Sequence, residues 1–167
     1  MVTELTLRNL RPGDGPALAQ IHLENAAYYH ELAPASFRLP DADGLSELLE
    51  PNPLANNETA LELVVEVDNT IVGCLSAHLI EPDAHARHQM VPYLTQRRLW
   101  IDSVGTLRAF WRRGVASTLV EAAEQWGKAR GATVVMCDTW IGSPVSVGFW
   151  ETRMGYSTRA VIFEKPL

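Results

Sequence analysis

The run Phe110-Trp111-Arg112-Arg113-Gly114-Val115-Ala116-Ser117 carries the residue types of an anion site. Upstream, Leu99-Trp100-Ile101-Asp102-Ser103-Val104 is rich in strand formers, and downstream Ala116, Leu119, Val120, Ala123 and Trp126 recur at helical spacing. A helix is therefore expected to begin near Gly114. Its first turn leaves roughly four backbone N–H groups without intrahelical partners. Such donors, with the helix dipole, attract phosphate, and Arg112 and Arg113 add positive charge. Gly114 and Ala116 leave room for a diphosphate to approach the main chain. A basic pair and a glycine also precede helices for capping and solubility, so the run alone does not decide between the two readings.

Asp102 is a carboxylate within an otherwise apolar strand. Burial there would raise its pKa and suit it to accept a proton from an ammonium group, directly or through water. A hydrogen-bonded structural Asp on the polar face of a sheet is an equal alternative. Glu66 and Asp138, near strand ends, are weaker substitutes. Tyr28, Tyr29 and His30 either line a binding cleft or serve packing. His85 and His88 lie three apart without Cys or carboxylate partners at ligand spacing, so no metal is expected, and His22 and His78 read as structural. Cys74 and Cys137 each sit in an apolar run, as small buried side chains rather than a disulfide, which points to a reducing compartment.

The elements that must position these residues follow from patterning. Leu5 to Arg8 alternate as an opening strand. Arg11-Pro12-Gly13-Asp14 turns into a helix capped by Asp14, with Ala17, Leu18, Ile21, Asn25 and Tyr28 on one face. Residues 31 to 58 contain Pro34, Pro40, Pro51 and Pro53 and only a short helical candidate, Asp43 to Glu50. Leu61 to Val67, the turn Asp68-Asn69-Thr70, and Ile71 to Leu79 form a hairpin. A polar stretch, Glu81 to Arg98, leads to the central strand. The amphipathic helix runs to about Arg130 and is ended by Gly131, and Ala132 to Asp138 is another strand. A short helix runs from Gly142-Ser143-Pro144 through Trp150 and Arg153 and is stopped by Gly155, and Thr158 to Phe163 is expected as a final strand. The order is that of an α/β fold, a mixed sheet with helices on both faces.

A chain of 167 residues is most simply one domain spanning 1-167. Its 47% hydrophobic and 20% charged residues are ordinary for a soluble globular protein, and no apolar run approaches the ~20 residues of a membrane span. With no basic-then-apolar leader, a cytoplasmic location is expected. The net charge of -6 lacks the footprint of nucleic-acid binding and favours a cationic or neutral partner.

Four segments in order resemble the GCN5-related N-acetyltransferases (GNAT). The opening "LRPGDGPALAQIH" resembles the family's first strand and helix, and "VVEVDNTIVGCLSAHL" its second and third strands. The family signature of Gln or Arg, two free positions, Gly, one free position, then Gly or Ala reads here Trp111-Arg112-Arg113-Gly114-Val115-Ala116, departing at its first position. Phe149 to Tyr156 resembles the closing block, with one extra residue before Gly155 and Trp150 where a tyrosine often protonates the leaving thiolate.

The resemblance implies a mostly antiparallel sheet whose strands before the phosphate loop and after the long helix splay apart. It implies acetyl-CoA as acyl donor, with its diphosphate on Arg112, Arg113, Gly114, Val115, Ala116 and Ser117. The pantetheine arm would pair with Val104, Gly105 and Thr106 like an added strand, although Val104 and Thr106 are equally explained as β-branched sheet residues. Ser143, where the family often has Asn, would either bond the arm or cap a helix. Trp150 would pack against the core or the cofactor, leaving water or Tyr156 to supply the proton. The implied reaction is direct acetyl transfer to a primary amine, small molecule or peptide, without a metal or a covalent enzyme intermediate. The acceptor pocket is expected from residues 22 to 58 and 81 to 98, and a homodimer is among the assemblies allowed. Because Trp150 cannot act as the usual acid, an inactive or weak acyl-CoA-binding sensor is the alternative. Another phosphate-binding α/β protein would leave the hairpin and closing block unexplained.

Overall fold

The computed structural model describes residues 4–52, 56–162 and 165. Five strands, β1 (Thr6–Asn9), β2 (Ala60–Val67), β3 (Thr70–Ile80), β4 (Arg98–Thr106) and β5 (Val134–Cys137), form one sheet in the order of the chain. All neighbours are antiparallel except β4 and β5, which run parallel. The β2–β3 hairpin closes through Asp68 (φ 49°) and Asn69 (φ 62°). Two consecutive left-handed residues twist with the strands, and Asp and Asn tolerate that conformation.

Helices α1 (Gly15–Leu32) and α3 (Val115–Ala129) cover opposite faces, and α2 (Leu45–Leu48) packs beside α1. Alternation along β2 sends Leu61, Leu63 and Val65 to the α3 face, where Leu75, Leu99, Leu119 and Val120 complete the core. A Cβ on Gly73 would meet Val115 Cγ1 at 2.4 Å, so a glycine lets α3 lie close to β3. The other face is gripped by α1: a Cβ on Gly105 would stand 2.7 Å from Ile21 Cγ2 and 2.6 Å from Asn25 Nδ2. Helix α3 ends in a Schellman arrangement, with Gly131 at φ 83° and the Ala132 N–H bonding the Gly127 carbonyl at 3.0 Å.

The expected α/β architecture is thus found, with corrections at three places. Asp14 stands at the start of α1 without capping it, because its carboxylate accepts two bonds from Arg8 (2.7 and 3.0 Å) and one from the Arg11 N–H (2.9 Å). Glu50 serves that helix start instead, accepting from the N–H groups of Gly13 and Gly15. Residues 158–162 form no strand: none of them pairs with the sheet, so alternation there has no ladder to join, and Ile162 is 85% exposed. Phe163 lies outside the described residues. Finally, β4 carries an irregularity: Ser103 pairs with Ser76 and Ile101 with Ala77, leaving Asp102 as the extra residue of a bulge.

Arg8 ties β1, β2 and the start of α1 together, meeting Asp14 and Glu66 at 2.7 Å each. Burial pushes the Asp14 carboxyl up, but the Arg8 bonds and the Arg11 N–H outweigh it and hold the group below its usual range. A depressed carboxyl contributes stability above its unfolded pKa and loses it as pH falls through the folded value. Arg8→Ala, which strands two mostly buried carboxylates, is expected to cost about 2 kcal/mol at pH 7, below the range for fully buried pairs. Urea unfolding checks this. The loss should shrink at pH 3, and an equal loss at both pH values would contradict the ion-pair role.

Candidate active site

Main-chain geometry at the start of α3 decides what the residues expected to bind an anion can present. Arg112 (φ 61°) and Gly114 (φ 86°) are both left-handed, which bends the chain sharply into the helix. The ladder begins with the Thr118 N–H donating to the Gly114 carbonyl at 2.9 Å, and no side chain caps the first turn. Gly114, Val115, Ala116 and Ser117 therefore present a helix N-terminus to a cleft of about 1600 Å³ that they help to line. Arg112 lines it too. Arg113 does not: it points outward with its guanidinium 5.3 Å from the Phe110 ring centre. Trp111, the residue at the signature's first position, turns back and donates its indole N–H to the Thr106 carbonyl at 2.9 Å, fastening the loop to β4.

Arg153 supplies the second cation, a residue that sequence reasoning missed. It sits on a π-helical turn, Phe149–Arg153, that continues the short helix α4 (Pro144–Gly148). Its Nε donates to the buried Ser117 Oγ at 3.1 Å, at the mouth of α3, and it lines the cleft. Only a fold that returns the chain to α3 brings it there, so spacing held no signal for it.

The parallel register of β4 with β5 stops at Ile101 and Cys137, while β4 continues to Thr106. Past that point the two strands part, and Val104, Gly105 and Thr106 line the cleft with one edge of β4 open. Trp150 is 7% exposed, packed between Phe149 and Tyr156 at centroid distances of 4.9 and 5.0 Å, and reaches the cleft. Of the two readings of Ser143 the geometry selects the helix cap, and the expectation for Tyr156 changes. Ser143 is fully buried and does not line the cleft; its Oγ accepts the Ser146 N–H and bonds the Tyr28 and Ser146 hydroxyls, so it caps α4. Tyr156 is not a free proton source either, because its hydroxyl donates to Glu124 at 2.8 Å, and burial reinforced by that bond pushes the phenol well above its ordinary range.

Asp102 lines the cleft, but the burial expected of it is absent. Its side chain is 42% exposed and shares a 2.9 Å hydrogen bond with His78 Nδ1, because the bulge turns it toward that neighbour. The half-buried carboxylate in the cleft is Glu62, on β2, which burial pushes above its usual range. No hydrogen bond or ion pair engages its carboxylate among the described residues. It stands beside Ser76 in the sheet register, and Ser76 Oγ is 2.8 Å from Ser103 Oγ on β4. Glu66, the weaker sequence candidate, is spent on Arg8.

Cys74 and Cys137 are free thiols in the cleft wall, and burial pushes them up to about 11 and about 12. At neutral pH both are protonated and poor nucleophiles. Among the described residues, no three His, Cys, Asp or Glu side chains gather as a metal-ligand set. Among the described residues, no helix is long and apolar enough to cross a membrane. Of the two segments expected to build an acceptor pocket, residues 22 to 52 line the cleft, joined by Asp138, Thr139 and Trp140 after β5, whereas residues 81 to 98 do not line it and fold into two 3₁₀ turns.

The sequence model of the Acetyltransferase (GNAT) family matches residues 24–156. The chain belongs to this family. Solved structures agree on the fold. A mutant of the BH1408 protein from Bacillus halodurans superposes with a TM-score of 0.79 at 18% identity, covering 97% of this chain and 99% of that one. Aminoglycoside N-acetyltransferase AAC(6')-Iy in complex with CoA gives 0.66 at 15% identity, covering 98% and 95%. The aminoglycoside acetyltransferase meta-AAC0020 from an uncultured soil metagenomic sample, in complex with sisomicin, gives 0.61 at 20% identity, covering 98% and 96%. No curated protein sequence matches significantly. For a GNAT acetyltransferase, a cleft well above the ~300–1,000 Å³ of a single-ligand pocket has room for a donor and an acceptor together.

Proposed function

We propose that the chain transfers an acetyl group from acetyl-CoA to a primary amine by direct attack. The observation that carries this is one cleft joining three features: the uncapped start of α3, the open edge of β4, and the half-buried carboxylate Glu62. The residues fit the donor. Main-chain N–H groups from Gly114 to Ser117, with Arg112 and Arg153, suit a diphosphate, and Val104 to Thr106 suit an extended amide-bearing arm. When bound, acetyl-CoA supplies a thioester carbonyl and a thiol whose pKa, near the ~8.5 of a free cysteine, lets it leave as a thiolate without a dedicated acid.

The chain's own residues do the rest. An N–H on the open edge of β4 polarises the acyl oxygen, a kind of preorganised donor that is usually the largest catalytic contribution. Glu62 takes the proton whose removal converts the ammonium to a nucleophilic amine, with Ser103, Ser76 and water as the path across the sheet. Asp102, paired with His78, keeps negative charge beside the amine. Burial, which raises both thiols, disfavours Cys74 and Cys137 as acyl carriers and fits direct attack.

The test is thiol release from acetyl-CoA across a panel of primary amines, alongside thermal stabilisation by acetyl-CoA alone. Stabilisation with amine-dependent release is the expected result. Stabilisation without release from any amine would favour the acyl-CoA sensor, for which Trp150 in place of a phenol speaks. Neither effect would overturn donor binding altogether.

A further inference from the structure

Five aromatic rings run in an unbroken row along the cleft, each touching the next: Trp111, Tyr28, Tyr29, Phe37 and Trp140, at centroid spacings of 5.1, 5.2, 5.1 and 5.3 Å. They come from the α3 loop, from α1 and the segment after it, and from the end of β5. All five line the cleft, all are half-buried, and none belongs to the hydrophobic core. Packing of the fold therefore does not account for them. The tyrosines cannot swing freely, since Tyr28 Oη bonds Ser143 Oγ at 3.0 Å and Tyr29 Oη bonds Ser146 Oγ at 2.7 Å. Their polar ends are turned into α4, which fixes the rings as a rigid surface.

One end of this row is already engaged. The Arg108 guanidinium lies 5.6 Å from the Tyr28 ring centre and 5.8 Å from that of Trp111, and is itself paired with Glu31 at 2.8 Å. The free stretch is Tyr29, Phe37 and Trp140. Beside it, Asp138 lines the same cleft where β5 leaves β4, and Glu62 and Asp102 line the sheet side. Arg38 and His22 are the basic residues on this side of the cleft, and both are exposed. An apolar aromatic surface next to carboxylates matches a cation carried on a flat apolar body, because aromatic faces favour ring stacking and the nearby carboxylates favour the ammonium. A polyhydroxylated amine would leave many hydroxyls without partners against such a surface.

We propose that the acceptor is a primary amine on an aromatic or similarly flat apolar body, its ring held by Tyr29, Phe37 and Trp140 and its ammonium directed to the carboxylate side. This rests on the acetyl-transfer reading above and names its substrate class.

The experiment compares kcat/KM for 2-phenylethylamine, n-hexylamine and glucosamine in the wild-type protein and in Trp140→Ala and Phe37→Leu. The wild type should prefer phenylethylamine over hexylamine by about tenfold, with glucosamine poorest. Each variant should lose about tenfold on phenylethylamine and several-fold less on hexylamine, with the acetyl-CoA Kd changed less than about twofold, a split that general misfolding would not give. Equal use of the three amines, preference for glucosamine, or equal losses on phenylethylamine and hexylamine would overturn the proposal. Should no amine release thiol, acetyl transfer itself fails, and calorimetric titration then reads the subsite directly. Phenylethylamine binding about tenfold tighter than hexylamine, and weakened by Trp140→Ala, supports the aromatic subsite; equal binding overturns it.

Discussion

Gly114→Asp is expected to weaken acetyl-CoA binding by at least about 10²-fold in a protein that stays folded. Gly114 has φ 86°, and no atom lies within 4 Å of where a Cβ would stand, so the new side chain meets no wall. The conformation itself is the obstacle for most residues, at roughly 1–2 kcal/mol, but Asp and Asn are the side chains that visit it most readily. The carboxylate would then sit at the positive end of α3, capping the N–H groups that a diphosphate requires and repelling its charge. Gly114→Asn separates the causes, because it shares the backbone strain and the bulk without the charge. Calorimetric titration with acetyl-CoA is expected to show a much smaller loss for Asn than for Asp. Unchanged affinity in a folded Gly114→Asp protein would remove the anion site from the start of α3.

Glu62→Gln is expected to lower kcat/KM by about 10²- to 10³-fold, within the usual range for loss of a general base, with little change in acetyl-CoA affinity. The wild-type rate should rise with pH along a limb set above the ordinary glutamate range, since burial raises Glu62, and that limb should vanish in the variant. Stability should move the other way. A carboxyl whose folded pKa lies above its unfolded value contributes stability below the unfolded pKa and loses it as pH rises through the folded value. Removing the charge is thus expected to raise the Tm of Glu62→Gln at pH 8, with the gain fading near pH 4. Asp102→Asn, by contrast, removes an exposed carboxylate already shared with His78 and should cost less than about tenfold. A larger loss at Asp102 than at Glu62 would return the proton-accepting role to Asp102.

What was legible in the sequence was what local chemistry determines. The apolar spacing of Leu119, Val120 and Ala123 marked α3, Gly131 its end, and the Asp68-Asn69 turn the hairpin, because each of these is set within a few residues. The family resemblance added the splay between β4 and β5. The catalytic surroundings were less legible for a physical reason. Glu62 has the pattern of a solvent-facing residue in an alternating strand, and only the return of other segments over that sheet face half-buries it. Asp102 has the pattern of a strand residue, but one extra residue in β4 turns it toward His78. The tail from Thr158 alternates like a strand, yet pairing depends on an edge that periodicity cannot see. Arg153 and the aromatic row are likewise products of tertiary return, assembled from segments that are distant in sequence.

The most direct measurement is a crystal structure of the protein with coenzyme A. The expected result is the diphosphate against the main-chain N–H groups of Gly114 to Ser117, flanked by Arg112 and Arg153, with the arm entering between β4 and β5 along Val104 to Thr106. A diphosphate bound away from the start of α3, or an arm that stays outside the opening between β4 and β5, would contradict it.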